Sequence, residues 1–132
     1  METLNAILGG FAVAAQPMNL FFVFLGAVIG TVIGMLPGIG PAAGIALLLP
    51  VPVGMQPVSA LIMLAGIYYG AMYGNTASAI LINTPGTASA AMTTVDGYPL
   101  AKSGRGGAAL AIAAIARFIA GTMGIIILSL LA

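Results

Sequence analysis

Long apolar runs alternate along this chain with clusters of proline, glycine and small polar residues. The runs at 18–36, 57–74 and 107–131 are each long enough to cross a hydrocarbon core of about 30 Å as a helix. The segments at 3–15 and 41–49 are too short to span, and they predict an interfacial or short helix and a half-helix, respectively. The pattern predicts an all-α integral membrane protein with several spans.

The most polar stretch among the apolar runs is 75–95, which has Pro85-Gly86 at its centre and apolar residues on both sides. We interpret it as a helix broken at membrane depth, where irregular backbone is tolerated only if protein buries it or it lines a watery cavity. Two arrangements are open, a broken span and a re-entrant hairpin. The hairpin is favoured because each half has only about ten residues.

Two motifs carry the signals of a helix start, and we call them the PGIGP break (residues 37–41) and the NTPGT break (residues 83–87). Gly40 is predicted to cap the half-helix that Pro41 begins, and Thr84 to cap the helix that Pro85 begins. Free backbone N–H groups at such starts favour an anion. The alternative is a proline–glycine kink whose hydroxyls bond back to their own backbone.

Glycines recur at every fourth position on two of the predicted spans, which lets another helix approach closely. A packing role is therefore the preferred interpretation of these residues. The two series are Gly26, Gly30 and Gly34, and Gly66, Gly70 and Gly74. Each series leads into a break, which hints at a duplicated architecture.

Composition supports a single transmembrane region over residues 1–132. The chain is 61% hydrophobic and 4% charged, whereas a soluble domain has about 25% charged residues. It has no cysteine or histidine, and its only acids are Glu2 and Asp96, so it offers neither a metal cluster nor a catalytic constellation. We expect no enzymatic activity, no cofactor and no nucleic-acid partner.

The loop at 96–106 is predicted to be cytoplasmic, because Lys102 and Arg105 are the only basic residues in a loop. The last span then places the C-terminus outside. The remaining basic residue, Arg117, lies about 15 Å into that span. The preferred interpretation is a snorkelling side chain or an accidental replacement, and the alternative is a contact to substrate or to a carboxylate on a missing segment.

Two long segments resemble the large membrane subunit of the tripartite tricarboxylate transporters, the TctA family. They are GAVIGTVIGMLPGIGPAAGIALLLPVPVG at 26–54 and GIYYGAMYGNTASAILINTPGTASAAMTTVDGYPLAKSGRGGAALAIAA at 66–114. The resemblance implies a multi-pass protein of the bacterial inner membrane that imports carboxylates such as citrate, driven by an ion gradient. Family members are several times longer, so it also implies the N-terminal part of a large subunit only.

The same resemblance implies the partners. They are a periplasmic solute-binding protein that delivers the carboxylate substrate, a small membrane subunit, the remainder of the large subunit and the lipid bilayer. The coupling cation would be a sodium ion or a proton. The chain departs from the family's pattern at Asn75-Thr76, where Gly-Gly-Ser is usual, and at Arg117, where a small polar residue is usual.

Residues and resemblance together predict a substrate path in which an anionic carboxylate meets half-helix N-termini and neutral donors, with freed carbonyls available to a coupling cation. The predicted lining residues are Asn83, Thr84, Pro85, Gly86 and Thr87, with Gly38, Gly40 and Pro41. The secondary candidates are Asn75, Thr76 and Ser78. Two other functions are open: a non-transporting membrane scaffold or assembly protein, and a small oligomeric channel.

Overall fold

The computed structural model describes residues 2–131, and these contain helices and no strand. The helices are α1 (Glu2–Ala14), α2 (Pro17–Gly34), α3 (Pro41–Leu48), α4 (Pro57–Ile82), α5 (Ala88–Leu100) and α6 (Gly106–Leu131), and a π-helical turn (Ala101–Arg105) joins the last two. Three helical stretches are long and apolar enough to cross a membrane, namely α2, α4 and the stretch Ala88–Leu131, which is kinked at Gly104. The prediction of an all-α membrane protein is confirmed.

The central element is α4, against which α2, α3, α5 and α6 all pack. Residues 74–80 of α4 are buried in succession, so this part of the helix is enclosed on every side. The largest fully buried side chains are Ile67, Ile80, Asn75 and Thr76, and all four belong to α4. By contrast, α1 has no buried residue. The first part of the most polar stretch, residues 75–80, therefore lies at the centre of the bundle, whereas most of residues 81–95 are partly or fully exposed.

The two glycine series pack against each other. A Cβ atom added to Gly26, Gly30 or Gly34 of α2 would meet the backbone of α4, at Met63, Ile67 and Ala71, respectively. A Cβ atom added to Gly66, Gly70 or Gly74 of α4 would meet the backbone of α2, at Val23, Ala27 and Thr31, respectively. Because each series meets its partner in ascending order, α2 and α4 run parallel. No other residue type allows so close an approach, so the packing role predicted for these glycines is confirmed.

The contact between α2 and α4 follows a register of 40 residues. The hydroxyl of Ser59 donates to the Asn19 side-chain oxygen at 2.7 Å, across that separation. Gln16 and Gln56 precede the two helices with nearly the same backbone angles, φ −60° and ψ 138° or 139°, and each is followed by proline. The hint of a duplicated architecture thus has a structural counterpart in two helices that start alike and pair in register.

The helix predicted over 57–74 continues to Ile82. Within residues 75–95, the irregular backbone is therefore confined to the NTPGT break. The polar residues after Gly74 do not interrupt the helix because their groups are paired. The hydroxyls of Thr76 and Ser78 donate to the carbonyls of Met72 and Asn75, at 3.1 and 3.0 Å. Such bonds within a helix let hydroxyl residues remain in a buried segment.

Most of the predicted loop at 96–106 is helical, since α5 continues through Pro99 to Leu100 and the π-helical turn follows. The chain reverses at Gly104, whose φ of 83° lies in the left-handed region that glycine enters without cost. The direction of the chain therefore changes at Gly104, and the helices on both sides extend into the segment that was predicted to be a loop.

Candidate functional site

The two breaks lie against each other although they are far apart in sequence. A Cβ atom added to Gly40 would lie 3.0 Å from the Thr87 methyl carbon, and one added to Gly86 would lie 3.1 Å from the Ile39 carbonyl oxygen. Gly40 is the N-cap of α3, with Pro41 following it, and Thr87 is the N-cap of α5. The predicted start of the half-helix at Gly40-Pro41 is confirmed, and the structure brings it beside the second helix start.

The predicted cap at Thr84 is wrong, because α5 begins three residues later. Thr87 has an extended backbone, and its hydroxyl oxygen accepts a hydrogen bond from the Ala90 N–H at 3.3 Å. Asn83 ends α4 in the left-handed conformation with φ 57°. Its N–H and that of Thr84 both donate to the Ser78 carbonyl, as in a common C-terminal cap. The intervening residues are needed to bring the chain back along α4.

Asn75 holds the NTPGT break from within α4. Its side chain is 1% exposed. The side-chain oxygen accepts from the Gly86 N–H at 2.6 Å, and the side-chain nitrogen donates to the Thr87 hydroxyl at 2.8 Å. The same hydroxyl lies 3.1 Å from that of Ser89. Because buried polar groups need partners, Asn75 fixes the break at its own level in α4.

The contacts also set the direction of the last two helices. Thr87 lies beside Asn75, and a Cβ atom added to Gly97 would lie 2.8 Å from the Ile80 side chain, so α5 runs in the same direction as the end of α4. Gly106 lies beside Leu81, and α6 then returns antiparallel to α4. The turn that carries Lys102 and Arg105 is therefore at the same end of the bundle as Ile82.

Thr84 carries the unpaired polar group of the site. Its hydroxyl oxygen is buried and has no hydrogen-bond partner within residues 2–131. A buried hydroxyl without a partner costs about 1–3 kcal/mol, and such groups in native structures need an explanation. The atom belongs to the NTPGT break, three residues before Thr87, the cap of α5.

The other predicted residues divide by position. Pro41 is buried at the start of α3, and Pro85 is half-buried beside Gly86. Gly38 and Asn83 are exposed, and both have positive φ. Of the secondary candidates, Asn75 contacts the NTPGT break, Ser78 bonds back into α4 and Thr76 faces α6.

The sequence analysis missed the contact between Arg117 and Thr76. The guanidinium crosses from α6 and donates to the Thr76 hydroxyl, on a residue that is 2% exposed. Arg117 turns towards protein, so the snorkelling side chain in the preferred interpretation is wrong, whereas its other form, an accidental replacement, stays a prediction. A charge at this depth does indicate a protein-facing side chain, but the sequence does not say which helix receives it.

Comparison with known proteins gives the family. Residues 20–132 match the family described as "Tripartite tricarboxylate transporter TctA family". The chain belongs to the TctA family. A relative from Agrobacterium vitis, described as "Uncharacterized 52.8 kDa protein in TAR-I ttuC' 3'region", is 48% identical over 132 residues, which are 100% of this chain and 26% of the relative. The TctA chain thus spans about a quarter of that curated relative's length. No solved structure matches it.

Membership in the TctA family means that the glycine series and the breaks belong to a transporter family. The family is one of tricarboxylate transporters, and the described helices are those of a membrane protein. The breaks lie where α3 and α5 start against the enclosed part of α4. In transporters, interrupted helices of this kind commonly form substrate and ion sites.

Proposed function

We propose that this chain forms part of the large membrane subunit of an uptake system for tricarboxylates or related carboxylates, driven by an ion gradient. In this proposal, a periplasmic solute-binding protein delivers the substrate and a small membrane subunit completes the complex in the bacterial inner membrane. The TctA match over residues 20–132 supports the proposal. Because the chain spans 26% of its relative, the remainder of the subunit would supply the other wall of the substrate path.

The observation that carries the proposal is the meeting of two helix starts, and one of the two breaks also holds an unpaired hydroxyl within residues 2–131. The first N–H groups of α3 and α5 have no acceptor within their own helices. The attraction of a helix start for an anion is worth about 0.3–2 kcal/mol. The starts meet at Gly40 and Thr87, and the unpaired oxygen is that of Thr84 in the same break. A carboxylate placed there would accept from both.

Neutral donors suit a site that must release its ligand. In the proposed site, the hydroxyls of Thr84 and Thr87 and the Asn83 amide face the substrate, and Gly38, Gly40 and Gly86 let it approach the backbone. Pro41 and Pro85 complete the proposed site and shape the two breaks. Carbonyls freed at the breaks would hold the coupling cation, a sodium ion or a proton. Binding then needs no fixed positive charge.

The test uses Thr84→Val and Gly86→Val at the equivalent positions of a full-length relative. The first deletes the unpaired hydroxyl with little change of shape, and the second blocks the backbone, because even a Cβ atom would lie 2.9 Å from the Asn75 oxygen. We expect each to lower citrate uptake about tenfold or more, the loss of about 1.4 kcal/mol of binding, with a normal amount of protein in the membrane.

Matched controls are Thr122→Val and Gly124→Val on α6. The Thr122 hydroxyl is exposed and bonds back to Phe118, and a Cβ atom added to Gly124 would have nothing within 4 Å. Both controls should transport normally. Normal uptake and normal citrate affinity in both site variants would reduce the NTPGT break to a structural kink.

Reconstitution also separates the two other functions. A scaffold or assembly protein would give no citrate flux in liposomes that contain the complete membrane subunits and the binding protein. A small oligomeric channel would give a citrate leak that persists without an ion gradient and without the binding protein. Uptake that requires both the gradient and the binding protein is the result that the proposal expects.

A further inference from the structure

We infer that the cavity between α4, α5 and α6 is an anion site in which Arg117 binds a carboxylate group, with Thr76 and Thr93 beside it. The cavity has a volume of 390 Å³, and these three residues line it from three different helices. Neither break contributes to its lining. The choice of a carboxylate as the anion rests on the proposed function, whereas the existence of an anion site here does not.

Arg117 is positively charged, and within residues 2–131 its guanidinium makes no hydrogen bond to a carboxylate. Its hydrogen-bond partner within residues 2–131 is the neutral hydroxyl of Thr76. A guanidinium has five N–H donors, so most of them remain available to a ligand. A charge at membrane depth costs several kcal/mol unless it faces water or a partner. A carboxylate would supply both the missing charge and the missing acceptors, because it matches the guanidinium fork with two parallel hydrogen bonds.

Thr76 holds the guanidinium in place for this role. It is buried, and its hydroxyl donates to the Met72 carbonyl at 3.1 Å while it accepts from Arg117. The hydroxyl's donor is thereby used within α4, and its oxygen is turned to the cavity. The guanidinium is thus anchored on Thr76, and Arg117 lines both this cavity and a neighbouring one of 320 Å³ beside Tyr68 and Tyr69. Both volumes lie in the usual size range of small-molecule sites, about 300–1,000 Å³.

Asp96 lines the same cavity and is negatively charged, so its removal should change anion affinity in a predictable direction. The helices α5 and α6 run in opposite directions here, so Arg117 lies towards the Thr76 end and Asp96 towards the end formed by Ile80 and Ala109. An anion bound at Arg117 would be repelled by Asp96 across the cavity. Removal of that charge should therefore strengthen anion binding, whereas a purely structural role of Arg117 predicts no such gain.

The experiment measures the unfolding temperature of the purified chain in neutral detergent during titration with citrate, with sulfate at the same ionic strength as the reference. We expect citrate to raise the unfolding temperature of the wild type and of Arg105→Gln, which removes the same charge at an exposed position. Arg117→Gln should lose the citrate effect. Arg117→Lys, which keeps the charge but not the fork, should bind about tenfold more weakly. Asp96→Asn should bind more tightly.

Three results would overturn the inference. They are an equal citrate effect in Arg117→Gln and the wild type, no citrate effect in the wild type beyond that of sulfate, and an Arg117-dependent shift with phosphatidylglycerol but not with citrate. The last would mean that the cavity takes a lipid headgroup. Should Arg117→Gln prevent folding, the pair Arg117→Lys and Asp96→Asn still decides, since opposite changes in citrate affinity are required.

Failure here is distinguishable from failure of the proposed function. If Gly86→Val abolishes uptake by the full-length transporter while Arg117→Gln leaves the citrate effect intact, the breaks remain the substrate site and the cavity does not bind citrate. If Gly86→Val transports normally while Arg117→Gln loses the citrate effect, the cavity is the anion site and the proposed role of the breaks is wrong.

Discussion

The side-chain oxygen of Asn75 accepts a hydrogen bond of 2.6 Å from the backbone N–H of Gly86, so a buried residue of α4 fixes the break that follows the helix. The same amide donates to Thr87, the cap of α5, twelve positions further along the chain. The start of α5 is therefore set by a contact across the fold, and the local signals at Thr84-Pro85 do not decide it.

Asn75→Ala should destabilise the protein by about 1–3 kcal/mol, because it leaves the Gly86 N–H and the Thr87 hydroxyl without their partner. The free energy of unfolding in mixed detergent micelles measures the effect. Asn5→Ala, on the exposed surface of α1, is the control and should be close to neutral. Equal effects of the two substitutions would mean that the link between α4 and the break is not formed.

Thr87→Val should destabilise the protein, whereas Thr84→Val should not. Thr87→Val removes the cap of α5 and should cost about 0.5–2 kcal/mol. Thr84→Val replaces a buried hydroxyl that has no partner among residues 2–131, so unfolding should be unaffected or require more free energy. Chemical denaturation of both variants checks this. The reverse order would restore Thr84 as the cap.

Gly70→Ala should disrupt the contact between α2 and α4, because the new Cβ atom would lie 2.8 Å from the Thr31 backbone nitrogen. We expect a loss of about 1–3 kcal/mol, as in other overpacked contacts. Gly124→Ala has open space around it and should instead stabilise α6 by up to about 1 kcal/mol, through better helix propensity. Thermal unfolding of the two variants should therefore shift in opposite directions.

Cysteines introduced as Gln56→Cys and Ser103→Cys should react from opposite faces of the membrane. The chain has no natural cysteine, so each variant carries a single reactive site. Gln56 precedes α4, and Ser103 lies in the turn at the other end of that helix. An impermeant maleimide on intact spheroplasts should label position 56 only, because the positive-inside rule predicts that the turn with Lys102 and Arg105 is cytoplasmic. Labelling of both from one face would contradict this topology.

Features that depend on neighbours in sequence were predictable. Apolar length identified α2 and α4 as spans, and Gly40-Pro41 identified the start of α3. The glycine spacing predicted a packing face, because small residues on one side of a helix admit another backbone. The spacing did not predict that the glycine faces of α2 and α4 contact each other, since it identifies a packing face on a helix but not the helix that packs against it.

The site was predictable in part for the same reason. Residues of both breaks could be named from proline and glycine, but the cap of α5 depends on the left-handed Asn83 and on the contact with Asn75. Arg117 shows the same limit. Its depth in the span follows from residue counting, whereas its contact with Thr76 follows from the way α6 packs on α4.

The parallel course of α2 and α4 bears on how such a chain could evolve. Pro17 and Pro57 begin helices that point the same way, so the 40 residues from one to the other leave one end of the bundle and return to it. A gene segment that encodes such a round trip can be duplicated in tandem, and each copy then inserts in the same orientation. Repeats of inverted topology, in contrast, require an ancestor that inserted both ways. Residues 17–56 have no Asp, Glu, Lys or Arg, so this unit carries no orienting charge of its own, and its orientation would depend on basic residues elsewhere in the chain.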